Sequence, residues 1–194
     1  MERKTISVGV FEENCSIYGG YIIDPGAEAE RIVAALDGAA PKAILLTHAH
    51  FDHIGAIQDL QARWPDLPVY VHPEDAKVIT HPLNNFPPDY PPAPMPRNVV
   101  WTPESIEGCT VIETPGHTPG GVCYWFPGDK LLFSGDTLFN FSVGRTDLPG
   151  GDMPTLMASL RKLTALPDDT WVVPGHGNLT TIGVEKDGNP FLQM

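Results

Sequence analysis

The stretch Ala43-Ile44-Leu45-Leu46-Thr47-His48-Ala49-His50-Phe51-Asp52-His53 runs a short apolar segment straight into three imidazoles and a carboxylate. A continuous apolar run of four residues reads as a buried strand. The same grammar returns in Leu131-Leu132-Phe133-Ser134-Gly135-Asp136 and in Trp171-Val172-Val173-Pro174-Gly175-His176. His117 lies in Thr114-Pro115-Gly116-His117-Thr118-Pro119-Gly120, a loop stiffened by two prolines and, counting Gly121, three glycines. Strands fix positions, and glycine lets the backbone turn sharply where each strand ends. These residues span positions 48 to 176 and leave nowhere to cut, so one domain is expected over residues 1–194.

The residue types restrict the chemistry. His48 and His50 sit two apart, and an extended backbone points both side chains to one side. Asp52 and His53 follow where the chain turns into a helix, and can face a second point. Imidazole and carboxylate suit divalent transition metals, with zinc the first choice. One ion cannot easily use all four groups, whereas two ions roughly 3.5–4 Å apart could. A single strand-end histidine such as His117 or His176 reads more often as a loop or core residue, and Asp136 alone as a turn residue. Five histidines and two aspartates in recurring contexts reverse that balance. His72 precedes Pro73 at a helix start and His81 opens a proline-rich segment, so both are set aside as non-ligands.

Charge narrows the partners. Twelve Lys and Arg stand against 24 Asp and Glu, for a formal net charge of −12. That disfavours nucleic acid and anionic membrane surfaces, which need clustered cations. Three widely spaced cysteines (Cys15, Cys109, Cys123) imply no disulfide framework and are expected as free buried thiols. No signal peptide or membrane span is evident, so a cytoplasmic location is expected. Oligomeric state is not legible.

The spacing predicts a β-meander over residues 3–10 and 16–23, then a helix carrying Ala29, Ile32, Val33 and Leu36. A second helix is expected from about Ile54, with Ile57, Leu60 and Trp64 facing inward, and a short one over 74–79. Further strands are expected at 69–71, 99–101, 110–114, 121–126, 130–135 and 170–173. A helix over about 153–165 has Asp152 as its N-cap. Residues 81–98 hold seven of the 21 prolines and read as an insertion loop. It is either a stiff surface loop or subunit contact, or a lid carrying Phe86 and Tyr90. Mixed strands and helices in both halves argue for an α/β sandwich of sheets covered by helices.

The pattern H-x-H-x-D-H followed by a single His, an Asp and a final His resembles the metallo-β-lactamase superfamily. Asn14-Cys15, Asp24-Pro25-Gly26 and Gly144-Arg145-Thr146-Asp147 are similar to family segments as well. Gly135-Asp136-Thr137-Leu138-Phe139 and Thr180-Thr181-Ile182-Gly183 look more like the short bacterial glyoxalase-II-like hydrolases than like true β-lactamases. The resemblance implies a four-layer αββα sandwich with a dinuclear metal site at one edge. His48, His50 and His117 would hold one metal, Asp52, His53 and His176 the other, and Asp136 would bridge them. Asp24 is similar to a family residue that orients a ligand imidazole; its alternative is a turn-forming Asp.

The implied activity is hydrolysis of a small thioester such as S-D-lactoylglutathione by a metal-bound hydroxide. Two divalent ions are expected, zinc first, with iron or manganese as alternatives. Asp52 and Asp136 are the catalytic carboxylates, Asp52 being either a ligand or a general base. Glutathione thioesterases of the family carry an additional helical domain with basic residues. This chain ends 18 residues after His176, so no obvious donor for a glutathione carboxylate is expected. The alternative is a mononuclear iron persulfide dioxygenase using His48, His117 and Asp136, and a third reading is a non-catalytic metal-binding protein.

Overall fold

The computed structural model of the chain describes residues 3–85 and 92–193. Phe86 and Tyr90, considered above as lid residues, lie outside the described residues. The chain forms two compact units that meet in sequence between Trp101 and Thr102.

The first unit is built on the expected meander. β1 (Lys4–Val8), β2 (Glu13–Tyr18) and β3 (Tyr21–Ile23) pair antiparallel. Gly19 and Gly20, at φ 62° and 87°, make the tight turn between β2 and β3 that an L side chain would resist. β4 (Ala43–Leu45), β5 (Val69–Val71) and β6 (Val99–Trp101) then add in parallel, giving the order β1-β2-β3-β4-β5-β6. Parallel neighbours require long crossovers. α1 (Ala29–Ala35) lies in the first, α2 (Phe51–Ile54) and α3 (Ile57–Arg63) in the second, and α4 (Pro73–Ile79) in the third. Ile32 from α1 and Ile57 and Leu60 from α3 pack with Ile22, Ile44 and Val69 of the sheet in one core.

One boundary differs from expectation. Helix begins at Phe51 rather than near Ile54, and it breaks at Gly55-Ala56. The cause is tertiary: the Ala56 amide donates to the Pro25 carbonyl at 3.0 Å. The Pro25-Gly26 turn lies so close that a Cβ on Gly55 would meet the Gly26 carbonyl at 2.3 Å.

The second unit is a mixed sheet of six strands. β7 (Ser105–Ile106), β8 (Cys109–Glu113), β9 (Val122–Phe126) and β10 (Leu131–Gly135) run antiparallel in succession. β11 (Leu138–Phe139) and β12 (Ser142–Val143) form a separate hairpin. α5 (Met153–Leu163) crosses over to β13 (Trp171–Pro174), which pairs parallel with β10, and β14 (Thr180–Thr181) closes the edge. Leu156, Leu160 and Leu163 of α5 pack on Cys123, Leu132 and Val172. Asp152 caps α5 as expected, accepting from the Thr155 amide at 2.8 Å. α6 (Ile182–Gly188) was not expected from the pattern; Thr181 caps it. Among the described residues no helix is long and apolar enough to cross a membrane.

Candidate metal centre

In the first unit the candidate ligands follow the carboxyl ends of parallel strands, where open α/β sheets place their sites. β3 ends one residue before Asp24, and β4 leads through Leu46 and Thr47 to His48. His50 is the extended residue that opens α2, so Asp52 and His53 ride on that helix's single turn. The rings of His48 and His50 stand 4.9 Å apart by centroid, and those of His48 and His53 4.0 Å. His48, His50 and His53 are all buried.

Asp24 organises this group. Its Oδ1 accepts from the Thr47 amide at 2.7 Å and its Oδ2 from the Thr47 hydroxyl at 2.5 Å. The same Oδ2 lies 3.2 Å from His53 Nδ1. Thr47 Oγ1 thus donates to Asp24, which leaves it to accept from His48 Nδ1 at 3.1 Å. Both imidazoles therefore carry their proton on Nδ1, and Nε2 is the basic nitrogen of each. Asp24 is at once a turn residue, held at φ 50°, and the group that orients two imidazoles. A second buried carboxylate, Glu13, has Oε1 3.9 Å from His53 Nδ1.

Two residues missed by the sequence reading hold the backbone of this loop. Asp75, buried on α4, accepts from the Ala49 amide at 2.8 Å. Asn84 accepts from the Phe51 amide at 2.9 Å and donates to the Ala49 carbonyl at 2.9 Å. His72 and His81 serve as local caps instead, each Nδ1 accepting a backbone amide two residues on.

In the second unit His117, Asp136 and His176 come together at strand ends. Gly135 and Pro174 are partners in the parallel β10–β13 pair, and the Gly175 amide donates to the Gly135 carbonyl at 2.9 Å, so Asp136 and His176 leave the sheet side by side. Gly116, at φ 135°, lets the His117 loop close on α5, where a Cβ would meet the Leu156 amide nitrogen at 2.3 Å. His117 Nδ1 donates to the Arg145 carbonyl at 2.7 Å, which again makes Nε2 the basic nitrogen. Asp136 Oδ2 lies 3.5 Å from His117 Nε2 and 3.7 Å from His176 Nε2. Outside this trio, Arg145 and Asp147 form a two-bond pair at 2.6 and 2.7 Å. The guanidinium holds the Asp147 carboxyl down at about 2.

These donors fit a divalent ion. Zinc bonds of about 2.0–2.1 Å at a tetrahedral angle place two ligand atoms roughly 3.4 Å apart. The Asp136 separations lie near that value; Asp52 Oδ2 to His53 Nε2, at 4.0 Å, is looser. One ligand atom each of Asp24, His48 and His53 also falls within a 4.8 Å cluster. There Asp24 is engaged by Thr47 and by His53 Nδ1, the nitrogen turned away from the ligating role, which marks it as a positioning carboxylate.

Residues 8–176 match the metallo-β-lactamase superfamily. The chain belongs to that superfamily. Its mixed α/β fold is the metallo-β-lactamase fold, as the motif pattern implied. It is 40% identical over 188 residues to the probable metallo-hydrolase YqgX of Bacillus subtilis (strain 168), covering 88% of this chain and 86% of the relative. It is 35% identical over 212 residues to the hydroxyacylglutathione hydrolase GloC of Haemophilus influenzae, covering 99% and 98%. Among solved structures it is similar to the BLEG-1 B3 metallo-β-lactamase at TM-score 0.91 and 40% identity, over 100% of both chains. TTHA1623 in a di-iron-bound form matches at TM-score 0.87 and 42% identity, over 97% of this chain and 100% of the other. ETHE1 from Myxococcus xanthus matches at TM-score 0.72 and 28% identity, over 98% and 84%. A metallo-hydrolase superfamily chain of this kind takes divalent metals.

Proposed function

We propose that this protein is a metal-dependent thioesterase of the glyoxalase II type, acting on S-D-lactoylglutathione or a related small thioester. The observation that carries the reading is the likeness to the hydroxyacylglutathione hydrolase GloC over almost the whole of both chains. The tautomers support it: His48, His53 and His117 each hold a proton on Nδ1 toward a protein acceptor, the arrangement of a metal-ligating imidazole. In this proposal His48, His50 and His117 would hold one ion, Asp52, His53 and His176 would hold the other, and Asp136 would serve both. Zinc is the proposed metal, and the di-iron form of TTHA1623 makes iron the alternative.

When bound, the ions supply Lewis acidity, bringing the pKa of a water to about 7 and stabilising charge on a carbonyl oxygen. The chain's own part is to hold its donors still. Asp24 and Thr47 fix two imidazoles, the Arg145 carbonyl fixes a third, and Asp136 presents one oxygen to two histidines. Asp52 is assigned as a ligand, where an ionised carboxylate is a poor base. A thiolate leaves readily, so no side chain is needed as general acid.

A second reading is a persulfide dioxygenase with one iron, favoured by the likeness to ETHE1. The thioesterase reading expects the purified protein to hydrolyse S-D-lactoylglutathione and the His50→Ala variant to lose turnover. Full activity after metal removal would sink it. Uptake of oxygen with a persulfide substrate, and no thioester hydrolysis, would favour the second reading.

A further inference from the structure

Asp75 and Asn84 both reach the backbone of the ligand loop. The Ala49 amide lies between His48 and His50, and the Phe51 amide between His50 and Asp52. Asp75 takes the first amide at 2.8 Å and Asn84 the second at 2.9 Å. The Asn84 side-chain amide then closes back on the Ala49 carbonyl at 2.9 Å and reaches the Ile79 carbonyl at 3.3 Å. Three hydrogen bonds thus converge on residues 49 and 51 from a segment 26 to 35 positions away in sequence. Residues 47–49 lie between the last sheet bond, from the Leu46 amide to the Tyr70 carbonyl at 3.0 Å, and the first turn of α2, where the His50 carbonyl accepts from the His53 amide at 2.9 Å, and belong to no helix or strand. Asp75 and Asn84 are themselves buried, which keeps water from competing for the same amides.

We propose that Asp75 and Asn84 form a backbone clamp that holds the His48–Asp52 loop in its ligating conformation before any metal binds. They are positioning residues, acting through Ala49 and Phe51 rather than on the ion, and the inference rests on the metal-centre reading above. A loop ordered in advance loses less conformational freedom when the ion arrives, so affinity rises without a new contact to the metal. The clamp depends on acceptor and donor geometry, not on the charge of Asp75. An Asn at position 75 still offers an oxygen to the Ala49 amide, whereas Ala offers nothing.

The test uses the full chain, stripped of metal by chelation, with Co2+ as the probe. In the metal-free wild-type protein the Ala49 and Phe51 amides are expected to exchange with deuterium far more slowly than exposed loop amides. Asp75→Ala and Asn84→Ala should each weaken Co2+ binding about 10- to 100-fold, the usual cost of losing an outer partner of a metal site. Asp75→Asn should recover most of that loss. Exchange of both wild-type amides at exposed-loop rates overturns the clamp, and this measurement decides the matter even where an Ala variant does not fold. Wild-type Co2+ affinity in both Ala variants overturns it as well. A wild-type Co2+ spectrum without histidine coordination overturns the metal-centre reading, and the clamp with it.

Discussion

Replacing Asp24 by Asn tests how the first unit prepares its imidazoles. Asn has the same size and tolerates the left-handed φ of 50° at this position, so the backbone turn survives. The hydrogen bonds do not. One Asn oxygen can keep the Thr47 amide at its present 2.7 Å, but the NH2 group then faces two donors, the Thr47 hydroxyl and His53 Nδ1–H. Each lost bond to a charged acceptor is worth about 1.5–3 kcal/mol. The hydroxyl can rotate away; the His53 imidazole relieves the clash only by moving its proton to Nε2, the ligating atom. Metal affinity should therefore fall about 10- to 100-fold, equivalent to roughly 1.4–2.7 kcal/mol. Competition with a chromophoric chelator measures the affinity, and 15N shifts of the histidine side chains report the tautomer. Affinity within threefold of wild type, with His53 still protonated on Nδ1, would refute the reasoning.

Other outcomes follow from the same geometry. Gly116→Ala should destabilise by about 3–6 kcal/mol in urea denaturation, because a φ of 135° is strained for Ala and the new Cβ lies 2.3 Å from the Leu156 nitrogen. Gly128→Ala, which meets nothing within 4 Å, should stay within about 0.5 kcal/mol, and equal effects at the two sites would refute the packing argument. By carboxyl 13C NMR, Asp147 should titrate near 2 and move up toward its usual 3.8 in Arg145→Gln. Its folded pKa is depressed, so the pair's stabilisation is present above about 3.8 and drains away as pH falls toward 2; an unchanged midpoint in Arg145→Gln would remove Arg145 as the cause. Cys15, Cys109 and Cys123 are buried free thiols, and burial pushes the Cys15 thiol well up and that of Cys109 to about 12. A disulfide reagent at pH 8 should label none of them in the native protein and all three in denaturant.

The strand-end pattern was legible because each apolar run stops abruptly at a residue no core would choose. His48, His117, Asp136 and His176 each follow a strand, and the glycines directly before His117, Asp136 and His176 mark where the chain turns. Asp152 as a cap was readable for a related reason: its partner is three residues away. What stayed hidden depends on distant partners. The break at Gly55-Ala56 comes from the Pro25 carbonyl, and nothing in residues 51–63 themselves announces it. Asp75 reads as an ordinary acidic residue in a helix's first turn, and Asn84 as one more polar residue among prolines. Their meaning lies in amides 26 and 33 positions earlier. Glu185 is similar: on a short polar helix it reads as solvated, yet it is buried and accepts from the Phe141 amide at 2.9 Å and the Thr180 hydroxyl at 2.6 Å. Two-residue strands such as β7, β11, β12 and β14 are too short to show a period.

The central claim, a thioesterase that needs two metal ions, is tested most directly by adding Zn2+ to the metal-free full chain while following hydrolysis of S-D-lactoylglutathione. The account predicts no turnover without metal and a rate that climbs to a plateau at about two equivalents per chain. Turnover undiminished in the metal-free protein, or no thioester hydrolysis at any zinc level, would contradict it.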